Sequence, residues 1–434
     1  MKKIGIIIFS LLCFVMVLKA QDTVRVRSYI RDLSSPAMFG RGSAYKGDSL
    51  AADYLKNQLK RMQVEPLSDD YEQSYGFNAF AMEGKVTLII GEDTLSPLKD
   101  YRIAPFSKSV NQSVNILYID PRILFNPAAL ATFCNKNRKI LSKSFVYFDN
   151  TNIPFSNDDE KMAFQKELTV FQKRNPFCSL GVLIGVNELP IWAPSNTDFE
   201  RNYALIYIMA DQMNEKITKA EIHFHNDFRY HQTKNIGAMI KGTVYPDSFI
   251  VFSAHYDHIG AMGEEVIFPG AHDNASGTAM VLDFAQYFKN HPPRYSVIFL
   301  FFSGEETGLR GSSYFAKNPL IPLDKIKLMI NLDLLGGGND GIVVVNAKKG
   351  KGKDLYANML DINEEKGLLT QIKSRDNAGI SDHFPFTQRG VSAIFIYTMG
   401  GKLGGYHRVT DTSENCSLTE YQDIFKLLLA VIKN

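Results

Sequence analysis

The sequence predicts an α/β fold: a mixed, mostly parallel central sheet with helices on both faces, plus an inserted smaller α+β domain. Three observations carry this expectation. From about residue 234, short and almost wholly apolar runs alternate with helical patterns, as in SFIVFSAHYD, SGTAMVLDFAQYFKN and YSVIFLFFSG. Strands buried on both faces read as such continuous runs, and their alternation with helices argues for a covered, largely parallel sheet. Polar residues follow three of these runs directly: His255 and Asp257, then Glu305 and Glu306, then Asp333. In open α/β sheets, that carboxyl edge is where chemistry collects. Between about 76 and 217 the texture differs, with short strands such as KVTLIIG and SVNILYID among Pro- and Asn-rich turns and no cluster of His and acids.

The elements follow in chain order. Residues 1–20 begin with Lys2 and Lys3, then an apolar run from Ile4 to Leu18 that is too short to span a bilayer comfortably, then Ala20. That pattern predicts a cleaved signal peptide rather than a retained anchor, and so an exported, periplasmic or extracellular protein with no stable membrane span. Leu12 precedes Cys13 where a lipoprotein signal wants a small residue. GDSLAADYLKNQLKRMQVEP places Leu50, Ala51, Tyr54, Leu55 and Leu59 at helical spacing before Pro66. The chain is then assigned as a discontinuous catalytic domain, 21–75 and 218–434, interrupted by 76–217. Within the interruption DDEKMAFQKELTVFQKR reads as a helix and GVLIGV as a strand. Later strands are NIGAMIKGT, KIKLMINLDLLG, GIVVVNA and VSAIFIYT. The last helix carries Ser417 and Glu420 at capping-box spacing.

Composition excludes some functions. The net charge of +2 includes Lys2, Lys3 and Lys19 and falls to −1 without them, so no basic field argues for nucleic acid. Cys134, Cys178 and Cys416 show no metal-finger spacing; a Cys134–Cys178 bridge and three free thiols are both open. Gly336–Gly338 lacks the lysine of a phosphate loop and reads as a turn. Ser276 and Ser303 lack a nucleophile elbow.

Zinc takes neutral imidazoles and carboxylates, and two zincs about 3.5–4 Å apart can share one carboxylate. His255, Asp273, Glu306, Asp333 and His407 are the right types and number for two three-ligand shells with a shared acid. Glu305 is then spare to act as a base, since adjacent side chains at a strand end diverge. Asp257 sits where it can orient the His255 ring. His258 reads as a supporting or surface residue, His383 as hydrogen-bonded beneath the site, and Asp382 as a cap for the helix around PFTQRG.

HYDH at 255–258, DNASGT at 273–278, SGEETGLRGS at 303–312, NLDLLG at 331–336, SDHFPFTQRGV at 381–391 and YHRVTDT at 406–412 occur in this order. Together they resemble the zinc aminopeptidases of peptidase family M28, which also includes glutamate carboxypeptidase, over residues 234–434. RGSAYKGDSLAADYLKNQLKRMQVEPL resembles the helix that packs back on that domain, and 76–217 loosely resembles a protease-associated insert. The resemblance implies a zinc aminopeptidase/phosphorylase-hydrolase-like fold and two Zn²⁺ per chain. One zinc would lie on His255, Asp273 and Asp333, the other on Asp273, Glu306 and His407. Glu305 would be the general base for a metal-bridging hydroxide, Asp257 the partner of His255, and Tyr406 an oxyanion stabiliser. His272 departs from the family pattern, which has Asp or Asn before the bridging acid. The expected activity is peptide hydrolysis from the amino terminus. A carboxypeptidase, dipeptidase or glutaminyl cyclase, or a dead binding protein on the same fold, is the alternative.

Overall fold

The computed structural model describes residues 22–433 except 152, 154, 156, 172, 197, 215 and 401–404. The expected signal peptide lies outside the described residues. Among those described, no helix is long and apolar enough to cross a membrane.

One sheet organises the chain. In order across it run the strands Ile372–Arg375, Ile342–Val345, Ala393–Thr398, Ile326–Leu332, Tyr245–His255, Tyr295–Phe302 and Lys219–Ile240. The strands ending at Thr398, Leu332, His255 and Phe302 are mutually parallel neighbours. Antiparallel pairings flank this block on both sides. Period-2 geometry then sorts the apolar runs. Val297, Phe299 and Phe301 face one core, and Ile298, Leu300 and Phe302 face the other. On the first face lie the helices Ser276–Asn290 and Tyr421–Lys433, with Phe284 stacked between Phe252 and Phe425 at ring distances of 4.1 and 4.4 Å. On the second, Phe315 of Arg310–Lys317 and Phe386 of His383–Thr387 pack on Phe302. Each such buried side chain contributes about 1.5–3 kcal/mol.

The N-terminal helices close the first face. Gly47–Arg61 buries Ala51, Ala52, Leu55 and Leu59 there. Arg25, on Thr23–Leu33, pairs with the fully buried Asp283. Gly40 (φ +64°) and Gly42 meet the loop at Gly260 so closely that a Cβ at Gly40 would lie 2.1 Å from the Gly260 carbonyl oxygen.

Two long strands, Glu72–Ile90 and Lys219–Ile240, pair along most of their length and carry the sheet into the inserted segment. There Val110–Tyr118, Ser144–Asp149, Gly181–Val186 and Ala204–Met209 run parallel, with Tyr101–Ile103 antiparallel at the edge. This extension has a core on each face. One of them takes in Ile259, Met262 and Phe268 from the loops beside the catalytic edge.

Two capping expectations are corrected. The last helix starts at Tyr421, and Glu420 reaches across the fold to accept the Gly341 N–H at 2.6 Å instead of capping. Asp382 precedes the helix His383–Thr387 in helical backbone geometry, and its carboxylate accepts no capping bond. Cys134, Cys178 and Cys416 are all free thiols.

Candidate metal and catalytic site

Each expected residue is delivered by the carboxyl end of a parallel strand or by a loop that folds over that edge. His255 ends Tyr245–His255, and Asp257 and His258 follow it. Glu305 and Glu306 lie just past Phe302, after the turn at Gly304 (φ +65°). Asp333 lies just past Leu332. Asp273 comes from the Ala271–Ala275 turn that opens the Ser276–Asn290 helix. Gly277 lets that helix start against the strand, since a Cβ there would sit 2.3 Å from the Leu332 carbonyl oxygen. Tyr406 and His407 come from the loop before the last helix.

Seven of the eight residues converge, and Asp273 is at the centre. Its Oδ1 lies 3.4 Å from His255 Nε2, and its Oδ2 lies 3.3 Å from His407 Nε2. His255 Nε2 is also 3.3 Å from Asp333 Oδ1, and His407 Nε2 is 3.1 Å from Glu306 Oε2. Thus one carboxylate divides its oxygens between two imidazoles, each closed by a further acid. Two other groupings also hold donor atoms within 4.8 Å of one another: His255, Glu305 and Asp333, and His258, Asp273 and Glu306. Tyr406 is the outlier. Its ring stacks on His407 at 3.9 Å but is 43% exposed at the rim.

Asp257 has a different main contact from the one expected. Its carboxylate lies 3.7 Å from His255 Nδ1, whose nearer acceptor is the Asp257 backbone carbonyl at 3.2 Å. The carboxylate instead accepts the Glu305 and Glu306 N–H groups at 3.2 and 3.3 Å. It therefore fixes the turn that aims both glutamates. His258 is fully buried, with Nδ1 2.8 Å from Glu306 Oε1. That excludes the surface alternative. His383 bonds to Asn377 at 3.1 Å beneath the edge.

Sequence reasoning gave no role to three residues. Arg41 is completely buried and donates to the backbone carbonyls of Leu33, Tyr256, Pro269, Gly270 and Asp273. Asp411 accepts the N–H groups of His272 and Asp273 at 2.7 and 3.1 Å. Ser381 donates to Asp333 Oδ2 at 2.8 Å. Asp411 and Ser381 lie inside the quoted motifs YHRVTDT and SDHFPFTQRGV, and Arg41 opens RGSAYKGDSL. The signal was present, but nothing in the residue types shows that they act on backbone or on a neighbouring carboxylate.

The electrostatics are lopsided. Asp257, Asp273, Asp333, Asp382 and Asp411 are all buried, and Glu305 and Glu306 lie among them. Burial pushes the Glu305 carboxyl well above the ordinary range; His255 opposes this, and Asp382, Glu306 and Asp333 add to it. Burial also raises Asp382, to about 7. Burial disfavours a charged His407, but Glu306 and Asp273 outweigh it and lift the ring to about 10. Burial would likewise raise Glu306, yet His407 and His258 hold it below its usual value. So many buried acids need more positive charge than three imidazoles supply. His407 Nε2 is buried, with Glu306 Oε2 and Asp273 Oδ2 at ion-pair distance but neither aligned as a hydrogen-bond acceptor. Two imidazoles and two carboxylates around a shared acid match the donor types zinc prefers.

Residues 235–432 match the model of peptidase family M28. The aminopeptidase YwaD of Bacillus subtilis (strain 168) is 29% identical over 199 residues, 44% of this chain and 42% of that one. A probable zinc metalloprotease of Pyricularia oryzae is 35% identical over 104 residues, 24% of this chain and 21% of that one. The matches thus span less than half the length of these relatives. In structure, a zinc aminopeptidase from Bacillus subtilis superposes with a TM-score of 0.66 at 18% identity, covering 95% of this chain and 94% of that one. A peptidase M28 precursor from Shewanella amazonensis gives a TM-score of 0.64 at 17% identity, covering 95% and 93%. At such identities the likeness concerns the fold, and it extends across the inserted segment. The ordered motifs, the edge they share and the matched model agree: residues 235–432 resemble peptidase family M28.

Proposed function

We propose that this chain is an exported zinc peptidase, most simply an aminopeptidase, that works with two zinc ions held by His255, Asp273 and Asp333 and by Asp273, Glu306 and His407. The observation that carries this reading is the divided carboxylate of Asp273, each oxygen facing a separate imidazole at 3.3–3.4 Å. The names of the relatives supply zinc and aminopeptidase activity as precedents. Zinc bound by these residues would supply Lewis-acid activation of the scissile carbonyl and of water.

The chain's own groups do the rest. Glu305 is the residue left outside both ligand sets, and burial raises its carboxyl above the ordinary range, which makes the carboxylate a stronger proton acceptor. A carboxylate so placed takes a proton from the attacking water and returns it to the leaving amine. Asp257 holds the Glu305 and Glu306 amides, so Glu305 keeps its aim as the proton moves. Asp411 and Arg41 pin the Asp273 turn from opposite sides. Tyr406, stacked on His407 at the open rim, is placed to stabilise oxyanion charge.

Elemental analysis of the purified chain tests the metal count, with about two zincs expected; one zinc or none overturns the paired site. A panel of aminoacyl amides, N-blocked peptides and C-blocked peptides tests the reaction. Cleavage only of substrates with a free amine supports the aminopeptidase. Cleavage that survives N-blocking refutes it.

A further inference from the structure

The inserted segment places cationic side chains beside the metal site, and the site's own chemistry does not use them. Arg102 lies on Tyr101–Ile103, paired across to Tyr207. It is only 6% exposed, its guanidinium lies 5.3 Å from the Tyr207 ring, and its one hydrogen bond is to the Pro190 carbonyl. Its Nε has no partner. Arg201 donates to the Lys173 carbonyl at 2.9 Å, stacks over Phe199 at 4.2 Å and likewise leaves Nε unpartnered. Among the described residues, neither guanidinium is paired with a carboxylate. Burial disfavours the Arg102 charge and draws its pKa down to about 10. An unpaired buried cation is costly, and an anion placed against it offsets that cost.

Space for the anion is present. A cavity of about 400 Å³ is lined by Arg102, Arg201 and Lys173 and by Glu306, the one acid in its wall among the described residues. A second, of about 290 Å³, runs from Arg102 to His407. Arg102 and Ile191 line both. Glu306 lines the first cavity and His407 the second, so a group held against Arg102 shares a cavity with a residue of the metal site. Planar guanidinium forks suit carboxylates in particular.

We propose that this pocket binds a carboxylate of the peptide substrate, with Arg102 and Arg201 as specificity-determining residues lent by the inserted segment. The substrate class is therefore short peptides bearing either a free C-terminal carboxylate or an acidic side chain near the scissile bond. This rests on the peptidase reading above but is read out by binding alone.

Trp192, the only tryptophan in the chain, lines the second cavity and donates to the Ile103 carbonyl at 3.0 Å, next to Arg102. Its fluorescence reports on binding. Zinc-loaded Glu305→Gln chain is titrated with Leu-Gly-Gly against its C-terminal amide, and with Leu-Glu-amide against Leu-Gln-amide. The acidic member of one pair is expected to bind at least about tenfold tighter, the scale of a charge-assisted hydrogen bond; the pair that discriminates identifies the source of the carboxylate. Adding Arg102→Met should bring the ratio towards one. Lys173→Met, at an exposed position with little bearing on folding, should lower it less. Equal binding within both pairs overturns the proposal, as does a preference that both substitutions leave intact. If the unsubstituted chain cleaves no peptide while this discrimination stands, the peptidase reading fails and the carboxylate pocket holds.

Discussion

Single side chains decide the chemistry. Glu305→Gln keeps size and hydrogen bonding while removing the base. It should retain zinc and lose about 10²–10⁴ in kcat. Normal turnover in that variant would show that Glu305 is not the base. Asp273→Ala should empty both positions, because each imidazole loses its shared neighbour; full zinc occupancy on elemental analysis would contradict the bridge. A third prediction concerns His383. Burial lowers its pKa to about 4 in the folded chain. Between that value and the ordinary histidine value of about 6.5 the unfolded chain binds the extra proton, so stability falls as pH drops through this window. His383→Gln should lessen that acid loss by up to about 3 kcal/mol, measured as the difference in urea midpoints at pH 7 and pH 4; parallel curves for the two chains would refute it. Of the proposed ligands and base, His255, Glu305, Glu306 and Asp333 stood out in the sequence because each ends or follows an apolar strand run, whereas Asp273, on a turn, and His407, on a loop, were picked out by residue type and motif. The roles of Arg41 and Asp411 were not. Both act on main-chain groups of residues more than a hundred positions away, and no local pattern marks such a bond.

Elements were readable in proportion to how strongly they are buried. The runs from Tyr295 to Phe302 and from Ser276 to Asn290 stand out because nearly every residue meets a core. The helices Pro127–Leu141 and Gly350–Lys366 passed without notice: the first buries only Leu141, the second only Gly352, Met359 and Ile362. Gly350–Lys366 spreads its polar residues too evenly to print a 3.6-residue rhythm, whereas Pro127–Leu141 carries a periodicity as strong as that of Gly47–Arg61. The final helix illustrates a different failure. Ser417 and Glu420 have the spacing of a cap, yet Glu420 is taken by Gly341 across the fold. On the well-packed face, Phe284 joins strand and C-terminal helix through rings 4.1 and 4.4 Å away. Phe284→Ala should cost about 3–5 kcal/mol, visible as a lowered urea midpoint; a loss below 1 kcal/mol would mean that the two rings close over the gap.

At the scale of the molecule, the strands Glu72–Ile90 and Lys219–Ile240 make the inserted segment an extension of the catalytic sheet. Ile236–Ile240 pair with Val297–Phe301, while Lys219–Phe224 pair with Val110–Asn115. Trp192 stacks on Phe268 at 5.0 Å across the same boundary. Thermal unfolding followed by Trp192 fluorescence should therefore coincide with the loss of far-ultraviolet ellipticity, in one transition. Two separated transitions would show that the halves melt independently. The change of texture near 76 and 217 was visible in the sequence. That 76 falls inside one long strand and 217 just before another was not, since β-pairing over such a separation leaves no local trace.

The guanidinium of Arg41 has a consequence for how such a protein can be rearranged. It ties Tyr256, just past the His255 strand end, to Gly270 and Asp273 of the turn that follows, yet it comes from far upstream of the stretch that carries the family motifs. A chimera that transplants only residues 235–432 would inherit every proposed zinc ligand and leave behind the clasp that shapes the Asp273 turn. Recombination that preserves function must carry two separate pieces of the chain together.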